Sequence, residues 1–191
     1  MSNESFAKAF AATMQHEGGY ANVVGDKGGE TYMGISRVYW PSWPGWPIID
    51  DWQAKRINAL QRDTMLTEHV RAFYRAQFWD RMRGDEIAAL SERVAMEMFD
   101  TGVNMGVGRA VRFLQEALNM LNRGGRTYAD IPVDGLIGRD TINTLGRCLQ
   151  TQPGSKEGNE ALVLNCMNGV QYLSYKQNPQ HEQFVGWFSR V

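Results

Sequence analysis

Apolar residues recur at three- and four-residue spacing along most of the chain, the period of helices that bury one face. Leu66, Val70, Phe73, Tyr74 and Phe78 mark one stripe, and Ile87, Leu90, Val94, Met98 and Phe99 a second. Val111, Leu114, Ala117, Leu118 and Leu121 mark a third. The pattern predicts helices over 2–17, 50–61, 64–79, 87–99, 110–121, 159–176 and 179–188, with a short one at 35–39. Asp50-Asp51 suit the start of the second, where anions complement the helix dipole, and Thr64 is read as the cap of the third. Phe184, Trp187 and Phe188 are spaced to dock the last helix onto the body. Strand content is expected to be at most a small β-hairpin near 20–36, so the fold class is mainly α.

The first helix carries an unusual residue on its apolar stripe. Stepping 100° per residue from Phe6 puts Phe10 at about 40°, Met14 at about 80° and Glu17 at about 20°. An ionised Glu17 there is partly desolvated and sits at the negative end of the helix dipole, so both effects favour its proton. A carboxylate kept only for structure would prefer the other end of the helix. Alternatively, Glu17 turns to solvent at a frayed last turn, and Gly18-Gly19 serve as a C-cap.

The loop that follows bears on that choice. Asp26 comes nine residues after Glu17, and Thr31 five after Asp26. Glycines at 25, 28 and 29 let the backbone fold back so that a carboxylate and a hydroxyl can face the helix end. Two carboxyl groups in unlike surroundings, one protonated and one ionised, are what glycoside hydrolysis requires. Glu17 would protonate the leaving oxygen, Asp26 would activate water or stabilise the oxocarbenium-like transition state, and Thr31 would hold the water.

The run Glu17-Gly18-Gly19-Tyr20, followed by Asp26-Lys27-Gly28-Gly29-Glu30-Thr31-Tyr32-Met33-Gly34-Ile35-Ser36, resembles the N-acetylmuramidases of glycoside hydrolase family 108. It also resembles, more distantly, the Glu, eight residues, Asp, five residues, Thr pattern of phage-type lysozymes, with four residues here between Asp26 and Thr31. A second segment, Phe113-Leu114-Gln115 to Leu118 and then Val133-Asp134-Gly135 to Thr141, resembles the helical peptidoglycan-binding modules attached to many wall hydrolases. Physically that segment is a scaffold: Asp-Gly makes a tight turn and the threonine region starts a helix. The resemblance implies a lysozyme-like muramidase domain over 1–98 and a helical peptidoglycan-binding-like domain over 99–191. It implies cleavage of the β-1,4 bond between N-acetylmuramic acid and N-acetylglucosamine, with Glu17, Asp26 and Thr31 as the catalytic set.

Substrate contacts are sought among aromatic and amide side chains. Tyr20 and Tyr32 lie inside the motif itself. Three tryptophans among three prolines and a glycine in 40–47 describe a rigid loop that either walls a cleft or folds inward as a satellite core. At least two of the three are expected inward, and Trp43 and Trp46 are the cleft candidates. Asp100 and Asn104 are one helical turn apart and share a face that could bond sugar substituents, or could brace a buried junction.

Composition narrows the partners. A formal net charge of −1 argues against nucleic acid as the main partner and against tight electrostatic binding to anionic membranes, and peptidoglycan glycan strands are the expected partner. The start of the chain lacks a basic region and an apolar core, which predicts synthesis in the (host) cytoplasm without a signal peptide. Action on the wall would then follow release, as for a phage endolysin. Cys148 and Cys166 are read as free thiols, no Cys/His cluster has metal-ligand spacing, and neither a metal nor a cofactor is expected. No apolar stripe is left over for self-association, which predicts a monomer. Two other functions compete: a lytic transglycosylase, which needs no water-activating aspartate, and a wall-binding module without catalysis.

Overall fold

The computed structural model describes residues 2–14, 19–22, 29–54, 63–151 and 155–177. Among them the chain is mainly helical, as its periodicity predicts, with eight α-helices and one small sheet. It divides into two compact units, Phe10–Gln77 and Met1–Ala9 with Phe78–Val191. No helix among the described residues is long and apolar enough to cross a membrane. The helix predicted at 179–188 and the end of the first helix lie outside the described residues.

In the unit Phe10–Gln77, α1 (Ser2–Met14) contributes its last turn, and β1 (Tyr20–Asn22), β2 (Glu30–Tyr32) and β3 (Ile35–Ser36) pair antiparallel in that order. Tyr20 faces Tyr32, Ala21 faces Thr31, and Thr31 in turn faces Ser36. The short helix expected at 35–39 is replaced by β3. Met33 and Gly34 both have positive φ, 44° and 78°, the backbone of a two-residue primed hairpin turn, so Ile35 returns directly onto Tyr32. The Tyr74 hydroxyl donates to the Met33 carbonyl at 2.7 Å and holds that strained turn.

The aromatic loop forms a large part of the core of this unit, with Ile35, Ile49, Leu66 and Val70. Trp43 stacks near Tyr32 at 6.3 Å and meets Trp46 edge-on at 5.1 Å, while its indole N–H donates to the His69 carbonyl. Gly45 lies directly under the Trp43 ring, where an added Cβ would come within 2.2 Å of it. α2 (Trp46–Ala54) starts earlier than expected, so Asp50 and Asp51 fall inside it and not at its start. The rigid loop decides this: Trp46 and Ile49 donate their N–H groups to the Trp43 and Gly45 carbonyls and begin the helix there. Asp63, one residue before the expected Thr64, caps α3 (Thr64–Tyr74) by accepting from the Leu66 N–H at 2.9 Å.

After α3 the chain runs through a π-helical turn, Arg75–Trp79, and a 3-10 turn, Asp80–Met82. The stripe read as one helix over 87–99 is two, α4 (Gly84–Leu90) and α5 (Glu92–Met105). Ser91 breaks it: extended backbone there lets its hydroxyl cap α5 by accepting from the Val94 N–H at 3.0 Å, which apolar spacing cannot reveal. α6 (Val107–Leu121), α7 (Arg139–Thr151) and α8 (Lys156–Gln177) complete the second unit. Its centre holds Phe6, Trp79 and Phe99 with ring centroids 5.6–6.0 Å apart, and the fully buried Leu114, Leu118 and Val163.

The scaffold segment of this unit is clamped by polar side chains. Arg112, Gln115, Asn119 and Asn122 recur at 3, 4 and 3 residues along one face of α6. Arg112 donates to the Val133 and Asp134 carbonyls, and Gln115, 1% exposed, donates to Asp134 and accepts from the Gly135 N–H at 2.9 Å. Asn119 both donates to the Ile131 carbonyl and accepts from its N–H, and Asn122 donates to Asp130. The loop between α6 and α7 therefore has a fixed shape although it contains no regular structure.

Candidate active site

Glu17 and Asp26 lie outside the described residues. Thr31 sits in the middle of β2, partly exposed and flanked by Ala21 and Ser36 on its neighbours. Because side chains alternate across a strand, Thr31 faces away from Glu30 and Tyr32. Tyr20 is 36% exposed, and its hydroxyl donates to a Glu30 carboxylate oxygen at 3.0 Å.

Three expected substrate contacts are core residues instead. Tyr32, Trp43 and Trp46 are 1%, 6% and 3% exposed, so none offers a ring face to a sugar in this arrangement. Burial, with Asp63 near, pushes the Tyr32 phenol up, which keeps it neutral. Of their neighbours, Tyr39 at 71% and Trp40 at 39% exposed reach solvent. At least two of the loop's three tryptophans do fold inward, but composition could not say which two. Ring size is the same for all three, and only the chain path over Gly45 selects them.

Sequence reasoning also missed a charged cluster in the same unit. The Arg37 guanidinium forks between Glu30 at 3.0 Å and Asp50 at 2.7 Å and lies 4.6 Å over the Trp46 ring. Glu30 additionally accepts from Tyr20 and from Gln53 at 3.4 Å. Glu30 stands next to Thr31 in sequence, yet this network commits it to bracing the sheet and α2.

Asp100 and Asn104 belong to the other unit, on α5. They share a face as expected, and the Asn104 amide donates both to the Asp100 carbonyl at 2.8 Å and to its carboxylate at 3.1 Å. Glu97, one turn earlier on that face, was not singled out by sequence. Burial first, and Asp100 second, push its carboxyl up to about 7, while the Thr101 hydroxyl, donating at 3.3 Å, pulls it the other way. A carboxyl that exchanges its proton near neutrality is able to serve in acid–base chemistry. Its sequence signal is two i,i+4 polar pairs, Glu97 with Thr101 and Asp100 with Asn104, within the apolar run of α5. Among the described residues no group of His, Cys, Asp and Glu side chains could hold a metal ion.

Residues 10–106 match the family model for Glycosyl hydrolase 108. Residues 109–191 match a model described as "Predicted Peptidoglycan domain". The solved structure of Brucella abortus SagA is similar in fold, with a TM-score of 0.61 and 22% identity over 98% of this chain and 90% of that one. No curated protein matches the chain significantly. The first match takes in the Glu17–Ser36 motif, the aromatic loop, and α5 with Glu97, Asp100 and Asn104; the second takes in the clamped segment between α6 and α7. The chain thus belongs to the Glycosyl hydrolase 108 family and is a glycoside hydrolase of the muramidase type, acting on peptidoglycan.

Proposed function

We propose that the protein hydrolyses the β-1,4 bond between N-acetylmuramic acid and N-acetylglucosamine. The observation that carries this reading is the family match over 10–106, which contains Glu17, Asp26 and Thr31, the two carboxyl groups and hydroxyl that such chemistry uses. Glu17 protonates the glycosidic oxygen, Asp26 activates the attacking water or stabilises the oxocarbenium-like state, and Thr31 positions that water. Tyr20 and the exposed pair Tyr39 and Trp40 supply ring faces for sugars. The muramidase chemistry belongs to 1–98 and wall attachment to 99–191. An endolysin made in the cytoplasm and released onto the wall fits this pairing of activities.

Glu17→Gln should lower wall lysis by on the order of 10²- to 10⁴-fold while leaving the circular dichroism spectrum unchanged. Near-normal lysis by the folded variant would remove Glu17 from the mechanism. Mass spectrometry of the released muropeptides decides between hydrolysis, which leaves hydrated reducing ends, and transglycosylation, which leaves anhydro ends.

A further inference from the structure

The loop that α6 holds in place forms one wall of an open groove of about 670 Å³, and α7 forms the other. Along α7 the groove is lined by Asp140, Asn143, Arg147 and Gln150, spaced at 3, 4 and 3 residues, the same stripe that α6 presents with Arg112, Gln115, Asn119 and Asn122. The two stripes differ in how they are used. Every member of the α6 stripe is bonded to the loop. Among the described residues, the side chains of the α7 stripe make no hydrogen bond or ion pair. Opposite them the loop brings Tyr128, Ile131 and Pro132, together with Asp130, whose carboxylate accepts from Asn122.

Charge and length specify what fits. Asp140 and Arg147 are seven residues apart on one helix face, about 10 Å along the axis. An extended peptide rises about 3.3–3.6 Å per residue, so about three residues place an amine against Asp140 and a carboxylate against Arg147. A glycan backbone of neutral sugars carries no such pair. The short peptide stems of peptidoglycan do, because they bear free carboxylates and the amine of a diamino acid. We propose that this groove binds the peptide stem of peptidoglycan, with Arg147 taking a stem carboxylate, Asp140 the side-chain amine, and Asn143 the backbone between them. The assignment rests on the reading of peptidoglycan as substrate and adds which part of it the C-terminal half grips. The wall is preformed, since the clamps on 128–136 leave little ordering to be done on binding.

The test uses the full chain and two soluble tetrapeptide stems, one with diaminopimelate and one with lysine at the third position, followed by calorimetry. At least one should bind saturably, and Arg147→Glu should weaken it by about tenfold or more through loss of a charge-assisted bond. Asn143→Ala, a milder change on an exposed position, should weaken it by a few-fold, with melting unchanged in both variants. Saturation by neither stem, or equal binding by the parent chain and Arg147→Glu, overturns the proposal. Release of reducing ends from intact sacculi is measured alongside. A chain that cleaves sacculi without binding either stem overturns the groove and leaves the muramidase reading standing; one that binds a stem without cleaving does the reverse.

Discussion

Trp43 and Trp79 are built into the protein in the same way, each with its ring lying on a glycine, yet they hold together two unlike regions. Trp43 covers Gly45 inside a proline-rich loop and is surrounded by other aromatic side chains of the unit Phe10–Gln77. Trp79 covers Gly84 at a helix start and sits among helices, with Phe6 and Phe99 as its partners and its indole N–H donating to Asp85 at 2.7 Å. In the helical unit, amphipathic stripes bring the core together and the tryptophan fills it. In the other unit two short helices and a small sheet meet around the rings, so Tyr32, Trp43 and Trp46 join Ile35, Ile49, Leu66 and Val70 in its core. Among its described residues this unit therefore relies on a few large ring contacts beside its aliphatic core.

Trp79→Ala removes a completely buried indole and should cost about 3–5 kcal/mol, the largest loss, seen as a lower urea midpoint for the helical signal. Gly45→Ala places a methyl within 2.2 Å of the Trp43 ring and should cost about 1–3 kcal/mol. The near-UV tryptophan signal should change with it, because that is where the displaced ring is read. Equal near-UV effects from an exposed-helix substitution would show that the aromatic loop is not the organising contact of its unit.

Glu97 gives the helical unit a pH dependence of its own. Its folded value near 7 is raised above the ordinary 4.5, so the folded chain holds the proton more tightly than the unfolded one. The stability it contributes is complete below about 4.5 and is lost as pH rises through about 7. Between about pH 5 and about pH 8 the parent should lose on the order of 1–2 kcal/mol more than Glu97→Gln, measured by denaturant melts. Parallel curves for the two proteins would show that Glu97 titrates normally. The smallest effect is expected from Arg37→Met, which removes a partly exposed fork to Glu30 and Asp50 and should cost about 1 kcal/mol or less.

Much of the architecture was legible in the chain. Helical spacing alone located the principal stripes because burial of one face leaves a period that survives in any context. The boundaries were less legible, since caps depend on single polar residues: Asp63 and Ser91 act through one backbone N–H each, and neither disturbs the apolar pattern. The Met33-Gly34 turn was hidden because a non-glycine residue at positive φ has no compositional signature. The pairing of Asp100 with Asn104 could be read from spacing, as both lie on one helix. The direction of the Glu97 shift could not, because its largest cause is burial by the elements packed around α5, although Asp100 and Thr101 beside it were legible by spacing.

By itself the sequence determined the helical class, the motif with its two carboxyl groups and threonine, and the existence of a scaffold turn at Asp134-Gly135, all properties set within a few residues of chain. Only the tertiary structure decided which tryptophans are core and which reach solvent, and that Gln115 spends its amide on the loop. It alone also showed that, among the described residues, the matching stripe on α7 makes no hydrogen bond or ion pair, because exposure and hydrogen-bond partners are settled between segments far apart in the chain.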